Sequence, residues 1–162
     1  MVDIQTVSIV VASAGVFVAA VYYVLQIRHQ NRMRQTDTLM RLYSTWGSKE
    51  YRDSMTRVNL LEFEDYQDFL RKYGPWQRDA PLMMAIWNIS DFFEVMGVLV
   101  HRKLSDTGLI ADMFPVVPAW EKIGPIQKER RKEFNMPMLF KWFEYLYNEI
   151  KKREQRLQAK KG

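Results

Sequence analysis

The chain opens with an apolar stretch that carries no Asp, Glu, Lys, Arg or His from residue 4 to residue 27. About 20 helical residues, rising about 1.5 Å each, cross the roughly 30 Å hydrocarbon core of a bilayer. The pattern therefore predicts a transmembrane helix over residues 4–27. A cleaved secretory signal is the alternative, but such a signal begins with positive charge and has a core of roughly 7 to 15 residues. Here Asp3 is the only charged residue before a longer core.

Behind this segment the apolar residues recur at helical spacing, without the alternation that is typical of strands. The first helix is predicted to continue over a juxtamembrane segment, residues 28–47, and to end at Gly47. Residues 82–104 form the most apolar of the later helices and are predicted to be the core helix. The other expected boundaries are helix starts or breaks, at Ser48, Gly74-Pro75, Pro81 after Asp79, Ser105, Gly124-Pro125, and Asn135 with Pro137.

The predicted fold class is therefore all-α. One N-terminal transmembrane helix is followed by a compact multi-helix domain over residues 48–150. A basic tail, residues 151–162, is expected to fray at the end of the last helix.

Positive charge is concentrated beside the apolar segment and in the tail. The formal net charge is +5, with −1 from Asp3, +3 from residues 28–41, −2 from residues 42–150 and +5 from residues 151–162. Arg28, Arg32 and Arg34 follow the apolar segment, whereas no Lys or Arg precedes it. The positive-inside rule then predicts a single-pass protein of the cell membrane, with its N-terminus outside and its helical domain in the cytoplasm. The three arginines are expected to contact anionic lipid headgroups.

A strip of small residues follows one face of the predicted membrane helix. Ser8, Ala12, Gly15 and Ala19 are spaced by four, three and four residues. Small residues let another transmembrane helix approach closely, although they are also common in membrane spans generally. Both interpretations of the strip remain open at the level of sequence.

Few kinds of chemistry are open to this chain. It has no cysteine, which excludes disulfides, thiolate catalysis and iron–sulfur clusters. Phosphate-binding loops, hydrolase motifs and zinc-ligand spacings are not found, and basic segments without aromatic residues argue against nucleic-acid binding. We predict no catalytic residue, no cofactor, no metal and no small-molecule substrate.

One polar line runs along the predicted core helix, through Asn88, Asp91 and Glu94. We expect these residues to form a structural polar core in which Glu94 pairs with Arg130 or Arg131. Acid and base catalysis by Asp91 and Glu94 is the alternative, because burial would raise their pKa values. A di-iron site needs Glu-x-x-His pairs, and neither histidine of the chain lies in one.

Five segments occur in this order along the chain: LYSTWGSKEYRDS, FEDYQDFLRKYGP, DFFEVMGVLVHRKLSDTGLIADMF, WEKIGPIQKERRKEFN and WFEYLYNEI. Together they resemble an uncharacterised prokaryotic, largely archaeal family of membrane-anchored helical proteins that is catalogued as a domain of unknown function. The resemblance covers roughly residues 39–153. Its most specific part is Phe-Phe-Glu-x-x-Gly at residues 92–97, joined to Trp-Phe-Glu-Tyr-Leu at residues 142–146. The resemblance implies a helical domain behind one or two membrane spans, and it implies no activity, cofactor or catalytic residue.

The expected function is that of a non-enzymatic accessory or scaffolding subunit of a larger membrane assembly. Its partners would be the lipid bilayer and either other membrane subunits or further copies of the chain. Two alternatives are a membrane-tethered effector or enzyme, defence-related by the resemblance, that uses Asp91 and Glu94, and a sensor of the membrane surface.

Overall fold

The structure is a computed structural model that describes residues 3–75 and 78–160. Every regular element in these ranges is an α-helix, so the predicted all-α class is confirmed. The seven helices are α1 Ile4–Trp46, α2 Lys49–Asn59, α3 Tyr66–Tyr73, α4 Ala80–His101, α5 Thr107–Met113, α6 Val116–Glu133 and α7 Lys141–Ala159.

The described residues fall into two compact units that divide between Arg41 and Leu42. The first unit consists of α1 up to that point. The second unit, which we call the helical domain, begins with the last turn of α1. Trp46 belongs to it, because its ring centroid lies 5.1 Å from that of Phe92 and 5.5 Å from that of Phe93. Gly47 follows directly as the predicted stop.

Among the described residues, two helices are long and apolar enough to cross a membrane by length and composition alone. In α1 the most apolar 18-residue window has a mean hydropathy of 1.5, and none of that window is buried. In α4 the corresponding window has a mean hydropathy of 1.4, but 56% of it is buried. That burial is typical of the core helix of a bundle, as the sequence predicted for this segment.

α4 is the centre of the helical domain, where it packs against α2, α6 and α7. The core between these helices is rich in aromatic side chains. Phe93 stacks on Phe143 with 4.9 Å between ring centroids, and Trp120 meets the same ring edge-on at 4.8 Å. Both phenylalanines are fully buried. Contacts of this kind contribute about 0.5–1.5 kcal/mol per pair beyond the burial of apolar area.

Most helix boundaries follow from capping residues close by in the sequence. The side chains of Ser48 and Asp79 accept backbone N–H bonds at the starts of α2 and α4, as predicted. Gly74 ends α3 with φ at +80°. The predicted cap at Ser105 is wrong, because Asp106 caps α5 instead. α4 ends at His101, three residues before its predicted end.

The largest differences from the expected boundaries concern α6 and α7. α6 neither ends nor breaks at Gly124-Pro125, because Pro125 lies on its exposed side while Gly124 packs against Trp120. α7 does not begin at Asn135 but at Lys141, after a loop in which Asn135 and Phe140 both have φ at +51°. The expected fraying of the tail is also wrong, since residues 151–159 continue α7.

Candidate functional site

The start of α7 is capped by a residue from another helix. Phe140 stands at the N-cap position and provides no side-chain hydrogen bond. Glu94 of α4 takes over this role. Its Oε2 accepts the backbone N–H of Phe143 at 2.8 Å, and the backbone of Trp142 also donates to it. A carboxylate suits this position because the first N–H groups of a helix lack partners within it and carry partial positive charge.

Gly97 lets the two helices meet at this point. A Cβ atom on Gly97 would overlap the backbone carbonyl of Trp142. The backbones of α4 and α7 therefore approach as closely as they do because residue 97 has no side chain. Since Phe93 stacks on Phe143 beside this contact, the segment at residues 92–97 locks onto the segment at residues 142–146. We call this contact, made by Phe93, Glu94 and Gly97 on α4, the α4–α7 clasp.

Arg131 of α6 holds the same helix start from the other side. Its guanidinium donates to the carbonyl oxygens of Leu139 at 2.7 Å and Phe140 at 3.2 Å. It also pairs with Glu144 at 2.5 Å, and Lys128 lies 3.3 Å from the same carboxylate. Burial alone would raise the pKa of Glu144, but hydrogen bonds and charge from Arg131 and Lys128 lower it. The loop before α7 is thus tied to α6 as well as to α4.

The predicted ion pair between Glu94 and Arg130 or Arg131 is wrong. Arg131 pairs with Glu144 instead, and it acts on Glu94 only as a nearby charge. Arg130 is 3% exposed, and its Nη2 lies 2.9 Å from the sulfur of Met83. The reason for the difference is that backbone N–H groups satisfy the Glu94 carboxylate. Sequence reasoning placed Glu94 and Arg131 in one region correctly but misassigned their partners.

The polar line on α4 is only partly buried. Asn88 and Glu94 are half-buried, whereas Asp91 is exposed, so its predicted place in the core is wrong. The side chain of Trp87 hydrogen-bonds to Asp91. Partial burial nevertheless raises the pKa of both Asp91 and Glu94. Both carboxyl groups are therefore easier to protonate than in water.

A groove lies beside the clasp, between α4 and the loop before α7. Its volume is about 400 Å³. We call it the α4 groove and define it by its lining residues, Trp87, Asp91, Glu94 and residues 136–140. Neither carboxylate is among the ion pairs that the described residues form. Apolar walls with two carboxylates suit a cation that carries an apolar body.

This groove is hard to predict from the sequence. Met136 and Met138 are 50% and 61% exposed, and together with Pro137 they form its outer wall. Their clustering in the run Met-Pro-Met was the available signal. That signal is hidden because Asn135 and Pro137 predict the first turn of the last helix over the same residues.

A second, enclosed cavity of about 90 Å³ lies between α3, α4 and α6. Tyr66, Arg130 and Glu133 supply its polar groups. The Tyr66 hydroxyl donates to Glu133 at 2.7 Å, and burial followed by this bond raises the pKa of Tyr66 to about 12. The Arg130 guanidinium also hydrogen-bonds to Tyr66, so the polar groups of this cavity interact with one another.

The residues predicted for the membrane segment lie on α1. Ser8, Ala12, Gly15 and Ala19 are all exposed, and a Cβ atom on Gly15 would meet no atom within 4 Å. Arg28 and Arg34 are exposed as well, while the side chain of Arg32 lies outside the described residues. Within the described ranges, no group of three or more His, Asp or Glu side chains is placed to hold a metal ion.

Comparison with known proteins gives one match. A family model described as a domain of unknown function (DUF4760) matches residues 9–150. The chain belongs to this family. No curated protein and no solved structure matches it.

The DUF4760 match covers both halves of the clasp, at residues 92–97 and 142–146, as well as Arg131. It ends at Ile150, the last buried residue of α7, and so leaves out the basic end of that helix. The expected likeness to a family of unknown function is therefore confirmed. The expected archaeal origin and membrane anchoring of that family remain predictions.

Proposed function

We propose that this DUF4760 protein is a non-enzymatic, membrane-anchored accessory or scaffolding subunit. The observation that carries this proposal is the exposed apolar window of α1, of which nothing is buried. Apolar surface in water costs about 25 cal/mol per Å², so a helix that is apolar on all sides needs a cover. The length and composition of α1 suit burial in a lipid bilayer.

The helical domain supports a binding role more than a catalytic one. Of the two carboxylates in the α4 groove, that of Glu94 already accepts a backbone hydrogen bond from the start of α7. Apart from Asp91 and Glu94, the groove is lined by Trp87 and residues 136–140, and none of these side chains is a nucleophile or a base. Exposed methionines beside an aromatic ring are typical of protein-binding surfaces.

The proposed topology rests on the arginines that follow the apolar part of α1. A reporter fused after Gly162 is expected to be active only on the cytoplasmic side, because Arg28, Arg32 and Arg34 resist transfer across the membrane. The control replaces these three residues by Ala and places three Lys before Asp3, which should move the reporter outside in part of the molecules. A native chain whose reporter is active outside would overturn the proposed orientation.

The small-residue strip is expected to hold the partner helix in the membrane. The double substitution Gly15→Leu and Ala19→Leu keeps α1 apolar but fills the strip, so the protein should still reach the membrane and yet leave its complex in mild detergent. The measurement is apparent size and co-purification after solubilisation. Val21→Leu with Val24→Leu, on the opposite face, is the matched control and should change neither. If the strip variant behaves like this control, assembly does not use the strip.

A membrane-tethered effector is a second candidate, because Asp91 and Glu94 line one groove and burial raises the pKa of each. A carboxyl group with a raised pKa is better suited to act as a general acid than an ordinary one. The substitution Asp91→Asn distinguishes the effector from the scaffold. Under the scaffold proposal its assembly through the strip on α1 and its biological activity are unchanged. Loss of the activity with full assembly would favour the effector.

A further inference from the structure

The two ends of α7 differ in the charge of their surroundings. At its start lies the α4 groove, with apolar walls, an exposed Asp91 and a half-buried Glu94. Arg131 and Lys141 act on Glu94 from nearby, but no cation of the described residues pairs with either carboxylate. The groove is thus complementary to a segment that brings positive charge together with an apolar side chain.

The last turn of α7 is such a segment. Lys151 and Lys152 pair with Glu154 and Glu149, and Arg153 lies 4.0 Å from Asp112. Beyond these pairs, the exposed residues Arg156, Leu157 and Lys160 follow. Leu157 is 44% exposed, and among the described residues neither Arg156 nor Lys160 forms an ion pair. Arg156 and Lys160 are four residues apart and therefore share one face.

The helix itself keeps these two ends apart within one chain. α7 has 19 residues, which gives a rod of roughly 28 Å at a rise of about 1.5 Å per residue. The basic end therefore cannot fold back onto the groove at the start of the same helix. A second copy supplies a basic end for the groove and a groove for the basic end. Two α7 helices that lie side by side in opposite directions bring the basic end of each copy to the α4 groove of the other. Such a two-fold arrangement makes every contact twice.

The surface between the two ends is suited to the same contact. Trp142 and Tyr145 of α7 are half-exposed, and the exposed His101 lies against both rings, with centroids at 4.2 Å and 5.4 Å. Partly exposed aromatic side chains are enriched where proteins associate. They lie along the helix between groove and basic end, where an antiparallel partner would cover them.

We propose that two copies of this protein associate through antiparallel α7 helices, with Arg156, Leu157 and Lys160 of each copy seated in the α4 groove of the other. Asp91 receives a cation of the other copy, the nearby Glu94 adds to the negative charge of the groove, and the methionine wall receives Leu157. The contact needs only the helical domain, so it goes beyond the proposed role in the membrane and does not depend on it.

The absence of cysteine makes a direct test possible in the full chain. One copy carries Met138→Cys and one affinity tag, and a second copy carries Leu157→Cys and a different tag. The two are mixed in detergent micelles and oxidised gently, and only disulfide-linked product that bears both tags is counted. Because each chain has a single cysteine, that product joins a groove to a basic end in another molecule.

We expect at least tenfold more doubly tagged product than from the control pair Leu60→Cys with Leu157→Cys, in which residue 60 is even more exposed, at 73%. Asp91→Arg in the groove copy should abolish most of this excess, and Arg156→Glu with Lys160→Glu in the other copy should restore it. Equal yields from both pairs would overturn the proposal, as would a charge reversal without effect.

To distinguish the α7 contact from association through α1, the experiment is repeated with Gly15→Leu and Ala19→Leu in both copies. Persistence of the excess supports the α7 contact, whatever the strip on α1 does. If the excess disappears with the strip, the cross-link came from crowding of the membrane helices, and the α7 contact is wrong.

Discussion

Gly97→Ala is expected to lower the stability of the helical domain by about 3 kcal/mol, near the upper end of the range for overpacked sites. The new methyl group would overlap the backbone carbonyl of Trp142, and a backbone cannot move aside as a flexible side chain can. α7 must therefore shift away from α4, which also weakens the Glu94 cap and the stacking of Phe93 on Phe143. The measurement is thermal unfolding of the full chain in detergent, with a drop of the midpoint on the order of 10 °C.

Gly47→Ala is the matched control for this substitution. A Cβ atom on Gly47 would lie 3.4 Å from the carbonyl oxygen of Tyr43, which leaves room for it. Its midpoint should stay within about 2 °C of the wild type, since surface substitutions away from special sites change stability by about 0.5 kcal/mol at most. A Gly97→Ala protein as stable as this control would contradict the close approach of α4 and α7.

Glu94→Ala is expected to cost about 2 kcal/mol, because it leaves backbone N–H groups at the start of α7 without an acceptor. Phe140 at the N-cap has no side chain that could replace the carboxylate. Glu94→Gln keeps one acceptor oxygen and should cost about half as much or less. Asp91→Asn, one turn away on the exposed side, is the control and should unfold like the wild type. If Glu94→Ala unfolds like that control, the cap is not what stabilises α7.

The same position predicts a pH dependence with a definite sign. Burial raises the pKa of Glu94 above its value in the unfolded chain. The folded domain therefore holds this proton more tightly, and the resulting stability is fully present below the unfolded pKa and is lost as the pH rises through the folded pKa. Relative to Glu94→Gln, the wild type should be most stable at acidic pH and lose this advantage towards neutral pH. A difference that does not change with pH would contradict the raised pKa.

Local chemistry made part of this fold predictable. The end of α1 at Gly47 and the side-chain caps at Ser48 and Asp79 depend on residues within a few positions of each other, and all three were predicted correctly. The core position of α4 was predictable as well, because a helix that is apolar on nearly every face must be covered on nearly every face.

The start of α7 could not be predicted in this way. Its cap lies on another helix, and the hydrogen bond from Phe143 to Glu94 joins residues that are 49 positions apart. The local signals at Asn135 and Pro137 pointed to an earlier start. They were overridden because Arg131 binds the carbonyl groups of Leu139 and Phe140 and so keeps this segment as a loop.

The sequence by itself determined the helical class and the apolar helix at the N-terminus, and it singled out the two segments of the clasp without predicting their contact. Periodicity, length and capping residues act over a few positions, and they can be read from a chain without knowing how it folds back on itself. Only the tertiary structure decided that Glu94 caps a helix instead of pairing with an arginine, that Asp91 faces solvent, and that Met136 and Met138 wall a groove. Those outcomes depend on which groups meet across helices, and a buried or half-buried polar group takes whichever partner the packing brings within hydrogen-bond distance.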